Sequence, residues 1–255
     1  MAKLITQLRE GRTALGTHVS LNDPAITELM GGVGFDYLWI DTEHTSISLH
    51  CLEQHLIAAR AADVSAIVRV PCVDPIRVKP ILEMGPDGIV FPQVNSREEA
   101  ELAVASCRYP PMGIRGYGPR RAIGFDGANL PEYFEKMEKD FLRILQIENI
   151  KAVENLDEIL QVEGISAFIM GPCDLAASMG YLGNDRHPEV RKVIEDVFRR
   201  VKKAGIPIGV SYGACKPEDA AYWRDLGVNM ISLVADTDYI MMGSRQTLNM
   251  MKDVF

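Results

Sequence analysis

Short apolar runs alternate with helix-length amphipathic segments along the whole chain, eight pairs in succession, and no other feature constrains the fold as much. The runs that read as strands are 14–19, 37–40, 66–70, 88–93, 142–147, 167–170, 207–211 and 230–234. Helical spacing covers 24–31, 49–62, 75–84, 97–107, 150–162, 190–204, 217–226 and 238–251. Asp23-Pro24, Asp74-Pro75 and Lys216-Pro217-Glu218 mark helix starts, because proline has a helical φ and lacks only an N–H that the first turn leaves unpaired. Gly85, Gly205 and Gly227 mark helix ends. Nearly continuous apolar strands imply a parallel sheet with its outer face covered by the helices. Eight such units in 255 residues fit one closed (β/α)8 TIM barrel spanning 1–255, a fold that takes about 250 residues. No G-x-G-x-x-G follows the first strand, which disfavours an open dinucleotide-binding sheet. The connection 108–140 is long, and it is expected to extend over the barrel mouth or to reach a neighbouring subunit.

A formal charge of -8 excludes general affinity for nucleic acid or for anionic membrane. Cys51, Cys72, Cys107, Cys173 and Cys215 contain no C-x-x-C pair, so neither a disulfide framework nor a zinc knuckle is expected. The N-terminal stretch has no signal-peptide character, and no apolar run approaches the ~18 residues of a membrane span. A cytoplasmic protein is expected.

Barrels of this kind build their sites from the loops after the strands. Those positions hold His18; Asp41, Glu43 and His44; Arg69; Gln93; Gln146 and Glu148; Asp174; Ser211; and Asp236. Any one of them is an ordinary solvated strand end. Together they place acids, bases and a guanidinium at one mouth. Arg69, enclosed by apolar residues in VRVP, needs an anionic partner. Glu148 and Asp174 offer oxygen without imidazole or thiolate, a hard donor set that suits Mg²⁺ or Mn²⁺ better than zinc. Asp174 reads equally as a helix cap. The Gly171-Pro172-Cys173 turn could direct backbone N–H groups at a substrate carboxylate. None of these strand ends carries a lysine, which argues against Schiff-base chemistry.

FDYLWIDTEHT, VRVP, YPPMGIRGYG, LQIEN and GPCDLAASMG, in this order and spacing, resemble the HpcH/HpaI aldolases, metal-dependent class II pyruvate aldolases of the phosphoenolpyruvate/pyruvate barrel superfamily. The similarity runs from about Leu15 to the C-terminus. It implies reversible cleavage of a 4-hydroxy-2-oxo acid into pyruvate, or a related 2-oxo acid such as hydroxypyruvate, and an aldehyde. It also implies a divalent ion (Mg²⁺, Mn²⁺ or Co²⁺) on Glu148 and Asp174, and Arg69 at the 2-oxo oxygen. His44 would transfer the proton, with Asp41 in the same catalytic group. Gln146 would orient the substrate, and the backbone at Cys173 and Asp174 would hold its carboxylate. Glu83 stands where many relatives have an aspartate paired with the histidine. His18 and Ser211 replace an aromatic and an aliphatic residue, which makes the aldehyde side polar and favours small hydroxylated aldehydes. Cys173 replaces alanine and reads as a small packing residue. Arg115, Arg120 and Arg121 read as a phosphate, carboxylate or subunit contact. The resemblance further implies a homohexamer, a trimer of dimers, with the last helix exchanged between barrels. Two other readings are an acyl-CoA lyase of the citrate lyase β type and a non-catalytic binding barrel.

Overall fold

The computed structural model describes residues 3–211, 216–252 and 254–255, so Cys215 lies outside the described residues. Eight parallel strands close in chain order: β1 (Ala14–Val19), β2 (Tyr37–Asp41), β3 (Ser65–Arg69), β4 (Gly88–Phe91), β5 (Leu142–Ile147), β6 (Ala167–Met170), β7 (Ile208–Val210) and β8 (Met230–Ala235), with β8 returning to β1. The helices are α1 (Leu4–Arg9), α2 (Ala25–Val33), α3 (Leu49–Ala61), α4 (Pro75–Glu83), α5 (Arg97–Cys107), α6 (Leu130–Lys139), α7 (Ile150–Glu154), α8 (Leu156–Ile159), α9 (Pro172–Ser178), α10 (Pro188–Lys203), α11 (Pro217–Leu226) and α12 (Asp236–Lys252). All eight expected strands are present, to within two residues at each end. Three helices, α1, α6 and α9, fall outside the expected set, and the pattern at 150–162 breaks at Asn155 into α7 and α8.

Alternation along each strand sorts the core into two parts. Tyr37, Trp39, Ile67, Val90, Ile144, Ile169 and Met230 fill the barrel interior, and Leu4 and Leu8 of α1 join them. The other face of each strand, such as Leu38, Ile40 and Val68, packs on the helices. Interior bulk is matched by interior glycine: a Cβ on Gly16 would sit 2.4 Å from the Tyr37 ring. Truncating fully buried Leu4 to alanine would cost about 2–5 kcal/mol.

At the base, side chains just before or at the start of alternate strands accept the N–H of a residue near the start of the preceding strand. Asp36 takes Leu15 N at 2.8 Å, Asp87 takes Ala66 N at 2.8 Å, Ser166 takes Arg143 N at 3.0 Å and Asn229 takes Ile208 N at 3.0 Å. The connection between β4 and β5 also lies here. Tyr133, Met137 and Asp140 border the same basal cavity as Asp36, Ser65 and Asp87. The expectation that this segment covers the mouth is therefore wrong: α6 runs back beneath the strand starts. Among the described residues, no helix is long and apolar enough to cross a membrane.

Candidate active site

The alternation that sends Tyr37 and Trp39 inward sends Asp41 inward one layer higher. The same step carries Arg69 above Ile67, Gln146 above Ile144 and Gly171 above Ile169. The pleat thus converts several apolar strands into a polar ring at one level. Trp39 is the floor of this ring, with the Arg69 guanidinium 5.5 Å from its ring centre and the His18 imidazole 5.0 Å away.

β2 and β3 pair in register at Asp41 and Arg69. Arg69 donates from Nε to Asp41 Oδ1 at 2.9 Å and from Nη2 to Oδ2 at 2.7 Å, a bidentate contact. Its remaining Nη1 lies 3.0 Å from Glu43 Oε2. Burial opposes the charge on both Asp41 and Arg69, yet each overcomes it for the other: the carboxyl pKa is lowered and the guanidinium pKa raised. Glu43 goes the other way, its pKa raised by burial and by the Asp41 and Asp174 charges. His44 reaches outward, with 66% of its side chain exposed and Nε2 3.5 Å from Glu43 Oε2. Within the chain, the acid beside His44 is Glu43.

Within one chain Glu83 does not reach His44. It ends α4, which leaves the mouth after β3 and runs about 13 Å toward the base at 1.5 Å per residue. There its carboxylate lies 3.0 Å from the Arg115 guanidinium. Arg115 is itself buried, over the Tyr109 ring at 4.6 Å, and donates to Tyr133 Oη at 3.0 Å. Arg115 therefore braces the basal connection, its guanidinium engaged by Glu83 and Tyr133. Arg121 donates to the Met84 carbonyl, and Arg120 is exposed.

Glu148 follows β5 and is almost fully buried. Its Oε1 accepts from Gln93 N at 2.7 Å and its Oε2 from Gln146 Nε2. Gln93 thus contributes through its backbone, held at φ 53°, a left-handed conformation uncommon outside glycine. Burial raises the Glu148 pKa to about 7, aided by the Asp174 and Glu43 charges. Gly171 lets this carboxylate sit against β6, since a Cβ there would lie 2.8 Å from Glu148 Oε2. Asp174 lies in the first turn of α9 and lines the mouth cavity. Crowded acids around a buried carboxylate are the setting that a hard dication relieves. Among the described residues, no group of three or more His, Cys, Asp or Glu converges on one point. As oxygen donors without imidazole or thiolate, Glu148 and Asp174 fit Mg²⁺ or Mn²⁺ better than zinc.

The mouth cavity, about 300 Å³, is also lined by His18, Ser20, Gln146, Cys173, Ser211 and Asp238. Burial, then the Arg69 charge, lowers the His18 pKa to about 4, so the imidazole is neutral. Cys173 is exposed on the wall, which corrects its reading as a packing residue; desolvation and the Asp185 and Asp174 charges raise its pKa and keep it a thiol. Asp236 is structural, accepting from Ser20 N at 2.9 Å, Leu21 N at 3.0 Å and Thr237 N at 2.8 Å. Trp39, Ser20 and Asp238 are site residues that sequence reasoning missed. Trp39 was within reach of it, standing two places before Asp41 on a strand of period two.

The structure is thus a closed (β/α)8 barrel whose mouth carries a guanidinium, two histidines and three carboxylates, with no lysine among the described residues that line it. The family model for HpcH/HpaI aldolase/citrate lyase matches residues 14–241, and the chain belongs to that family. It is 36% identical over 234 residues to the 5-keto-4-deoxy-D-glucarate aldolase of Citrobacter koseri, covering 92% of this chain and 90% of the relative. An HpcH/HpaI aldolase from Desulfitobacterium hafniense superimposes with a TM-score of 0.92 at 30% identity, covering 98% of this chain and 96% of the other. A family member from Burkholderia cenocepacia gives a TM-score of 0.91 at 30% identity, covering 98% of both chains. The chain is a carbon–carbon lyase, an aldolase that cleaves a 4-hydroxy-2-oxo acid into pyruvate and an aldehyde.

Proposed function

We propose that the 2-oxo acid half of the substrate binds on the β5–β6 side of the mouth and that the aldehyde half extends toward β8, β1 and β2. The observation that carries this reading is the position of Arg69. It is buried, fixed bidentately by Asp41, and faces the same cavity as Asp174. A bound Mg²⁺ or Mn²⁺ on Glu148 and Asp174 supplies Lewis-acid stabilisation at the 2-oxo group. The chain's own residues do the rest. The N–H groups at the start of α9, around Cys173 and Asp174, receive the carboxylate. Gln146, whose Oε1 is a buried acceptor without a donor, orients the substrate beside Glu148.

In the cleavage direction His44 receives the proton of the C4 hydroxyl. The C3–C4 bond breaks, its electron pair moves to C3 to form the enolate of pyruvate, and C4 becomes the aldehyde carbon. Arg69 stabilises the developing oxyanion without having to reorganise, because Asp41 already holds it in place. The same proton returns to C3 and completes pyruvate. Glu43 steadies the imidazolium that His44 becomes in between. His18 and Ser211 give the aldehyde side polar walls suited to a small hydroxylated aldehyde.

The enzyme acts in the cytoplasm as a homohexamer, a trimer of dimers with α12 exchanged between barrels. The exposed Ile240, Met241, Met242, Leu248 and Met250 on α12 support that packing. The test is exchange of the pyruvate methyl protons in D₂O, followed by NMR after chelation and return of Mg²⁺ or Mn²⁺. Exchange that depends on metal and disappears in Glu148→Ala supports the assignment. Metal-independent exchange, or full exchange in Glu148→Ala, refutes it.

A further inference from the structure

The far end of the mouth cavity is where this chain sets its choice of aldehyde. It lies at β8 and β1, the latter opposite β5 in the eight-stranded ring. Three side chains define it: His18, Ser20 and Asp238. Asp238 sits in the first turn of α12, where one carboxylate oxygen accepts Ala235 N at 2.9 Å. Asp238 and His18 line the same cavity. The His18 ring is buried, and its Nε2 has no hydrogen-bond partner.

No described side chain here offers a net positive charge to a ligand. Arg69, the one guanidinium lining the cavity, is committed to Asp41 and Glu43. His18 is neutral and unable to take that role. A carboxylate on the incoming aldehyde would meet Asp238 with no cation to offset it, whereas hydroxyl groups would find donors and acceptors in His18, Ser20 and Asp238.

We infer that Asp238, together with His18, makes this aldolase selective for neutral hydroxylated aldehydes and against aldehydes that bear a carboxylate. This rests on the aldolase reading and narrows it. It also separates the chain from the relatives named for 5-keto-4-deoxy-D-glucarate, a substrate with an acid group at each end.

The test uses the metal-loaded enzyme with pyruvate and two aldehydes of similar size, glycolaldehyde and glyoxylate, and then glyceraldehyde and tartronate semialdehyde. kcat/KM is measured for each in the wild type and in Asp238→Asn, whose amide oxygen can still accept Ala235 N. The neutral member of each pair is expected to be favoured. Asp238→Asn should move the ratio toward the acid aldehyde by about tenfold, the effect of roughly 1.4 kcal/mol of relieved repulsion. Raising ionic strength should narrow the wild-type ratio and leave the variant's ratio nearly fixed, which a purely structural role would not produce. A wild type that favours both acid aldehydes overturns the inference while leaving the aldolase intact, as does an Asp238→Asn ratio equal to that of the wild type. If no aldehyde condenses with pyruvate, the aldolase reading falls with it. The wild-type ratio and its salt dependence decide the matter even if the variant fails to fold.

Discussion

Replacing Glu148 with glutamine should stabilise the metal-free protein, increasingly so as pH rises from about 4.5 to about 7. The Glu148 pKa stands at about 7 against an ordinary 4.5, raised first by burial and then by Asp174 and Glu43. Between these values the unfolded chain has released the proton and the folded chain still holds it. The folded state therefore loses stability as pH rises from about 4.5 to about 7, and above that the cost is constant. The change in proton affinity corresponds to about 3 kcal/mol. Glutamine is close in shape to the protonated acid. Its carbonyl can accept Gln93 N, and its amide can donate to the unpartnered Gln146 Oε1 after that side chain flips. Thermal unfolding of chelated wild type and Glu148→Gln at equal concentration, at pH 5 and pH 8, measures the effect. About 2.5 kcal/mol of that cost arises between pH 5 and pH 8, so at roughly 2–4 °C per kcal/mol for a chain of this size the variant's advantage at pH 8 should exceed that at pH 5 by roughly 5–10 °C. Added Mg²⁺ or Mn²⁺ should restore the wild type and not the variant. An advantage of the same size at both pH values would refute the reasoning, because it would show that the carboxyl is not ionising against burial and its neighbours.

Arg69→Lys should lower kcat by about 10²–10³-fold, since an ammonium cannot hold Asp41 bidentately and reach Glu43 at once; steady-state kinetics checks this, and a change confined to KM would contradict it. His44→Gln should lower kcat for cleavage by roughly 10²–10⁴-fold while leaving metal affinity by calorimetry near that of the wild type. Gly171→Ala places a methyl 2.8 Å from Glu148 Cβ and Oε2, so metal affinity should fall at least tenfold in the same titration.

The strands were legible because a parallel barrel buries both faces of each one, leaving unbroken apolar runs such as YLWI and LRILQI between polar segments. α1 and α9 were obscured by their length, six and seven residues, too short for periodicity to register. α6 was hidden inside a long connection, although Leu130-Pro131 and the spacing of Tyr133 and Met137 carried a helical signal. In the site, strand alternation was enough to bring Asp41, Arg69 and Gln146 to one level. Which acid pairs with Arg69 was not readable, because that depends on the register between β2 and β3. Glu83 lies far from the His44 of its own chain for a topological reason: a helix that follows a barrel strand runs away from the mouth, so its last residue lands at the base. The backbone contact from Gln93 to Glu148 left no trace in residue types, since a main-chain N–H is available at any non-proline position.

The answer to why so acidic a mouth should serve an acidic substrate lies in the order of events. Asp41, Glu43, Glu148, Asp174 and Asp238 gather around one guanidinium, so pyruvate approaching the metal-free site meets net repulsion. A dication on Glu148 and Asp174 reverses that sign locally on the β5–β6 side and leaves the β8–β1 side acidic. Metal and 2-oxo acid must then bind with positive coupling, and by linkage each tightens the other by the same factor. The excess acid would thus make the β5–β6 side attractive to a carboxylate only when the ion is present, while Asp238 would keep the other side closed to one.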